Sequence, residues 1–215
     1  MVIKGIFFDF DGTVNDARAI AEESLLKTLD EFNFKYNKKK ALSLLGNKMH
    51  IILEKLDVPI KKDLQKFRRG FYKHFTKGAR DGKISPCVPL EPLYELKKDY
   101  PLIIISNSET IFLNASIKTL KIKGLFKKVY GAEKFSTKDK FLKKLFKKMK
   151  IKPSEAMYVG DRFSDIDFAR DAGCLAVAIH NKCAWSTLAR IKKEKPDYII
   201  KDFKELQKLV KKLNK

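Results

Sequence analysis

Short apolar runs rich in β-branched and aromatic residues alternate along this chain with segments of helical period. The runs fall at residues 3–8, 102–105, 129–130, 156–159, 175–179 and 198–200. Runs of this kind alternating with helices predict a parallel sheet wrapped by helices. Phe141, Leu142, Leu145, Phe146 and Met149 share one helical stripe, and Lys143, Lys144, Lys147, Lys148 and Lys150 fill the remainder, which predicts an amphipathic helix. The C-terminal segment repeats the pattern with Phe203, Leu206, Leu209, Val210 and Leu213.

One connection is out of proportion. After the run ending at Phe8 the next convincing buried strand begins at Leu102, and the interval shows helical spacing at 22–34, 42–56 and 64–75. The pattern predicts an α/β fold with a Rossmann-like parallel sheet core, residues 1–15 and 86–215, and an inserted α-helical domain, residues 16–85. Pro86, Pro89 and Pro92 are expected to mark the return hinge.

Composition narrows the class. The 215 residues are 44% hydrophobic and 34% charged, which argues against disorder. The longest apolar stretches fall well short of the ~20 residues a membrane span needs, so the expectation is a protein of the cytoplasm that does not engage a membrane. Cys87, Cys174 and Cys183 show no CxxC spacing and predict reduced thiols rather than a disulfide framework or a zinc site. The 47 Lys and Arg exceed the 26 Asp and Glu by 21, a balance that attracts polyanions, phosphorylated metabolites or anionic surfaces. The lysines are spread over nearly every helix instead of clustering with aromatics, which disfavours nucleic acid as the partner.

Candidate chemistry gathers at strand ends, where open α/β sheets bind their ligands. Asp9-Phe10-Asp11-Gly12-Thr13 follows the first run and places two carboxylates one residue apart. Ser106-Asn107-Ser108 follows the second strand and precedes a helical segment, where hydroxyl and N–H groups can bind phosphate oxygens. Gly160-Asp161-Arg162-Phe163-Ser164-Asp165 follows a third, with Ser164 expected to cap the next helix and Gly173 to end it. Asp9, Asp161 and Asp165 form an oxygen-donor set suited to Mg²⁺. Such a site also calls for a cationic side chain, and Lys138 or Lys140 stands at the entrance of the lysine-rich helix.

These motifs, in this order, resemble those of the haloacid dehalogenase-like hydrolase superfamily, in particular its phosphoglycolate-phosphatase-like branch with a helical cap. The resemblance covers nearly the whole chain. It implies that Asp9 is the nucleophile forming an aspartyl-phosphate and that Asp11 is the general acid and base. It implies further that Ser106, Asn107 and Lys138 hold the phosphoryl group, and that Asp9, Asp11 through its backbone carbonyl, Asp161 and Asp165 hold Mg²⁺. The implied reaction is hydrolysis of a small phosphorylated metabolite, phosphoglycolate-like or a sugar phosphate, with a sugar-phosphate mutase as the alternative. A polyanion-binding protein on the same fold is the alternative of a different class. Val14-Asn15-Asp16-Ala17 lacks the hydroxyl that this branch usually carries there, and the Lys-Pro pair often seen at the third motif is absent. Asn47, Lys48 and Arg68, with His50 and Arg69, are the cap candidates for substrate specificity.

Overall fold

The computed structural model describes residues 2–58 and 63–215. Six strands form one sheet: β1 (Gly5–Phe8), β4 (Leu102–Ile105), β5 (Lys128–Tyr130), β6 (Ala156–Gly160), β7 (Leu175–Ile179) and β8 (Tyr198–Ile200). Their order is β5-β4-β1-β6-β7-β8 and every pairing is parallel. Central strand β1 pairs with β4 on one side and β6 on the other, so the chain changes direction across the sheet at β1. A crevice forms at such a switch point, beyond the carboxyl ends of the strands.

Both faces of the sheet are covered, which is why its strands read as continuous apolar runs. On one face Phe7, Ile103, Ile105 and Tyr158 pack against α7 (Lys138–Met149) and α8 (Phe163–Ala172). On the other, Ile6, Phe8, Ile104 and Val159 share a core with Leu93 and Leu96 of α5 (Glu91–Asp99), Phe112 and Leu113 of α6 (Thr110–Thr119), and Phe203, Leu206 and Val210 of α10 (Phe203–Leu213). A short helix α9 (Leu188–Lys193) buries Ile191.

Between β1 and α5 the described residues form four helices: α1 (Arg18–Glu31), α2 (Lys38–Ser43), α3 (Met49–Lys55) and α4 (Leu64–Arg80). They are entered and left through two short strands, β2 (Asn15–Asp16) and β3 (Ser85–Pro86), which pair antiparallel. The ring of Phe75 in α4 stacks on that of Phe112 in α6, with centroids 3.6 Å apart, so the inserted helices and the sheet layer share one apolar core.

Several boundaries differ from the sequence expectation. Helix α1 begins at Arg18 rather than near Glu22, because Ser24 and Thr28 lie on its buried face and break the apolar period. Their hydroxyls donate to the carbonyls of Ile20 and Ser24, 2.6 and 2.7 Å away, which makes burial affordable. The segment 42–56 is two helices, because Gly46 between them takes a φ of +86°, a conformation glycine reaches without steric cost. Pro92 lies in the first turn of α5 rather than in the hinge, where its missing N–H costs nothing. Ser164 does not cap α8: it lies inside the helix, and the Asp165 carboxylate accepts from the Arg162 N–H at 3.0 Å instead.

Candidate active site

The loops after β1, β4 and β6 meet above the sheet. Asp9, Asp11, Ser106, Asp161 and Asp165 are all buried there. A cavity of about 40 Å³ joins Asp9, Asp11, Ser106, Asn107, Ser108 and Arg162 on the sheet side. Its roof comes from the inserted helices and the loop between α2 and α3 and is mostly apolar, with Ala21, Leu45, Met49, Ile52, Phe71 and Phe75 beside the polar Asn47 and Tyr72.

Beside this cavity, single carboxylate oxygens of Asp9, Asp161 and Asp165 lie within 4.8 Å of one another. The tight backbone that allows it is visible at two glycines. A Cβ on Gly12, where φ is +85°, would lie 2.5 Å from Asp161 Oδ2, and one on Gly160 would lie 2.5 Å from the Asp165 carboxylate.

Lys138 is the cation in contact with this cluster. Its Nζ lies 2.8 Å from Asp165 Oδ1 and 3.2 Å from Asp9 Oδ1, whereas Lys140 is exposed. Periodicity carried a signal that separates the two: Lys138 precedes Leu142 by four residues and Leu145 by seven, so it shares their buried stripe. Burial opposes the charged form of Lys138, but the Asp165 and Asp9 carboxylates outweigh it and raise its pKa.

Three carboxylates against one ammonium leave surplus negative charge in a dry site. Burial raises the pKa of Asp9, with Lys138 opposing and Asp165 adding to the rise. Burial and then the Asp165 and Asp9 charges push Asp161 well above the ordinary carboxylate range. Asp161 is held by the Trp185 N–H at 2.6 Å and the Thr13 hydroxyl at 3.0 Å. Asp9 Oδ1 lies 3.2 Å from Lys138 Nζ and has no other polar partner among the described residues. A buried oxygen-only set of three carboxylates, with Asp9 Oδ1 met only by the Lys138 ammonium, fits a hard divalent cation such as Mg²⁺.

Asp11 has a different environment. The Ser108 hydroxyl donates to its Oδ2 at 2.6 Å and the Asn15 amide to its Oδ1 at 3.1 Å. Burial is the main cause that lifts its pKa to about 7, with the Asp9 charge adding and the Ser108 hydrogen bond opposing. Two neighbouring carboxylates thus face one cavity, one beside a lysine and the other held by neutral donors.

The remaining candidates have other partners. The Asn107 amide donates to the Gly46 carbonyl at 3.1 Å, tying the loop between α2 and α3 to the end of β4. Asn47 lines the cavity, with its amide on the Leu44 carbonyl at 2.7 Å. Lys48 Nζ donates to the carbonyls of Ala132, Phe135 and Ser136 at 3.2, 2.6 and 2.9 Å. Arg68 is ion-paired to Glu109 at 2.5 Å. Lys48, His50 and Arg68 line a neighbouring cavity of about 250 Å³ rather than the one at Asp9, and Arg69 is exposed. Sequence reasoning did not single out Ser108 and Thr13 as carboxylate donors, although both lie within the motifs it identified. It also gave no role to Arg162, whose neighbours are remote in sequence.

Residues 6–179 match the profile of the haloacid dehalogenase-like hydrolase family. Among curated proteins, the chain is 24% identical over 222 residues to the pyrophosphatase PpaX of Bacillus mycoides, covering all of both chains. It is 25% identical over 223 residues to that of Bacillus cereus, again covering both in full. Among solved structures, a predicted phosphoglycolate phosphatase from Haemophilus somnus superposes with a TM-score of 0.81 at 22% identity, covering 96% of this chain and 97% of that one. A predicted phosphatase from Clostridium acetobutylicum superposes with a TM-score of 0.83 at 19% identity, covering 99% and 100%. With the matched profile running from β1 through β7, across every loop that contributes to the carboxylate cluster, the chain belongs to the haloacid dehalogenase-like hydrolases.

Proposed function

We propose that this protein is a Mg²⁺-dependent phosphatase that hydrolyses a small phosphorylated metabolite through an aspartyl-phosphate on Asp9. The observation that carries the reading is the pairing of Asp9 and Asp11 on one cavity, with partners that prepare them for different tasks. The pyrophosphatase and phosphoglycolate phosphatase names of its relatives support the same reaction class.

In the first half-reaction an Asp9 carboxylate oxygen forms a bond to phosphorus while the bond to the leaving oxygen breaks. Asp11, holding a proton at about neutral pH, gives it to that leaving oxygen. Asp11 then takes a proton from water as the water oxygen attacks phosphorus, which releases inorganic phosphate and restores the Asp9 carboxylate. Lys138 offsets the repulsion between Asp9 and the incoming phosphoryl group, and Ser106 with the backbone beside Asn107 receives its oxygens. Asp9, Asp161, Asp165 and the Asp11 carbonyl would hold Mg²⁺, which would supply charge neutralisation for the phosphoryl oxygens. The apolar roof excludes bulk water, which suits a division into a core of residues 1–15 and 86–215 and a cap of residues 16–85. Three buried free thiols suit the reducing cytoplasm.

The test is Mg²⁺-dependent phosphate release from p-nitrophenyl phosphate. Asp9→Asn is expected to lower kcat by at least about 10³-fold, and Asp11→Asn by about 10²- to 10⁴-fold. Full activity in Asp9→Asn, or activity surviving chelation, would refute the reading.

A further inference from the structure

We infer that Arg162 is a specificity-determining residue that pairs with a small, negatively charged leaving group, a carboxylate or a second phosphate. The inference rests on the phosphatase reading and sharpens its substrate class. Lys138, the cation in contact with Asp9, already contacts both Asp9 and Asp165. Arg162 lines the same cavity as Asp9, Asp11 and Ser106, is only 8% exposed, and has no carboxylate partner within salt-bridge distance among the described residues. One Nη1 donates to the Leu45 carbonyl, and the buried Nε has no acceptor.

A guanidinium buried without a counter-ion is costly, and an arriving anion removes that cost. Its planar fork also matches carboxylate or phosphate oxygens in pairs. Two features keep it in place. The Leu45 carbonyl anchors one nitrogen, and the guanidinium packs directly on the backbone of Gly46, where a Cβ would displace it from its present position. The side chains of Leu45, Met49, Ile52, Phe71 and Phe75 across the cavity from Asp9 and Asp11 favour a small leaving group. A neutral leaving group of the same size leaves the guanidinium unpaired, which is how a polar site rejects an analogue that lacks its partner.

The experiment compares kcat/KM of the Mg²⁺-loaded enzyme for three substrates: phosphoglycolate, its neutral counterpart 2-hydroxyethyl phosphate, and pyrophosphate. The wild type is expected to prefer at least one anionic substrate over 2-hydroxyethyl phosphate by about 10²-fold. Which of the two it prefers tells a carboxylate partner from a phosphate. Arg162→Met should slow all three and bring the ratio to within about threefold of unity, with Arg162→Lys intermediate. If Arg162→Met does not fold, the wild-type ratio and Arg162→Lys decide. Equal turnover of neutral and anionic substrates by the wild type, or an equal loss on all three in the variants, overturns the inference while leaving phosphatase activity standing. Failure to hydrolyse any of them or p-nitrophenyl phosphate overturns the phosphatase reading itself.

Discussion

Asp9, Asp161 and Asp165 show how far a folded chain will go against its own electrostatics to build a site. The cluster holds one cation for three acids, so its surplus charge is a standing cost to the metal-free protein. Asp161→Asn removes the carboxyl whose ionisation burial and its neighbours oppose and keeps the contacts, since an amide can accept from the Trp185 N–H through its oxygen and donate to the Thr13 hydroxyl through its nitrogen. The expected result is a rise in the Tm of the metal-free protein of about 2–4 °C, the shift that ~1 kcal/mol produces in a chain of this size. The variant should also lose the stabilisation that millimolar Mg²⁺ gives the wild type. Thermal unfolding with and without Mg²⁺ measures both, and a variant less stable than the wild type without metal would count against a strained cluster.

At the scale of elements, the loop between α2 and α3 does the work of a clasp. Arg162 and Asn107 hold its carbonyls at Leu45 and Gly46, and Lys48 reaches across to three carbonyls just before α7. Lys48→Met removes that reach without touching the cavity at Asp9. It is expected to speed amide hydrogen exchange at residues 132–136 by about tenfold, equivalent to ~1.4 kcal/mol of local stability, while Tm moves little. The strands and α7 were legible in the sequence because burial on both faces, or along one stripe, leaves a local pattern. The clasp was not. The stripe through 42–56 continues across Gly46 unbroken, and the break lies in the positive φ that Gly46 adopts beneath the Arg162 guanidinium, a contact 116 residues apart in the chain. The same distance hid Arg162 itself, whereas Asp9, Asp11, Ser106 and Asp161 announced themselves through short motifs at strand ends.

For the whole molecule, the charge of +21 bears on substrate capture more than on stability. The excess of Lys and Arg attracts a phosphorylated anion from solution, and salt screens that attraction within ~10 Å at 0.1 M. The kcat/KM for an anionic phosphate ester is therefore expected to fall about three- to tenfold between ~50 and ~500 mM salt, with kcat nearly constant. A flat salt profile would mean that the lysines serve the surface alone.

The antiparallel pair β2–β3 has a further consequence, because Asn15, whose amide holds Asp11, is itself a residue of that ribbon. Under the proposed mechanism, any swing of the helical layer about the ribbon would also tug on Asp11, the proposed proton carrier. An opened cleft would then lose alignment just as it floods with solvent, so idle cleavage of the proposed aspartyl-phosphate would be restrained by the very joint that admits the next molecule.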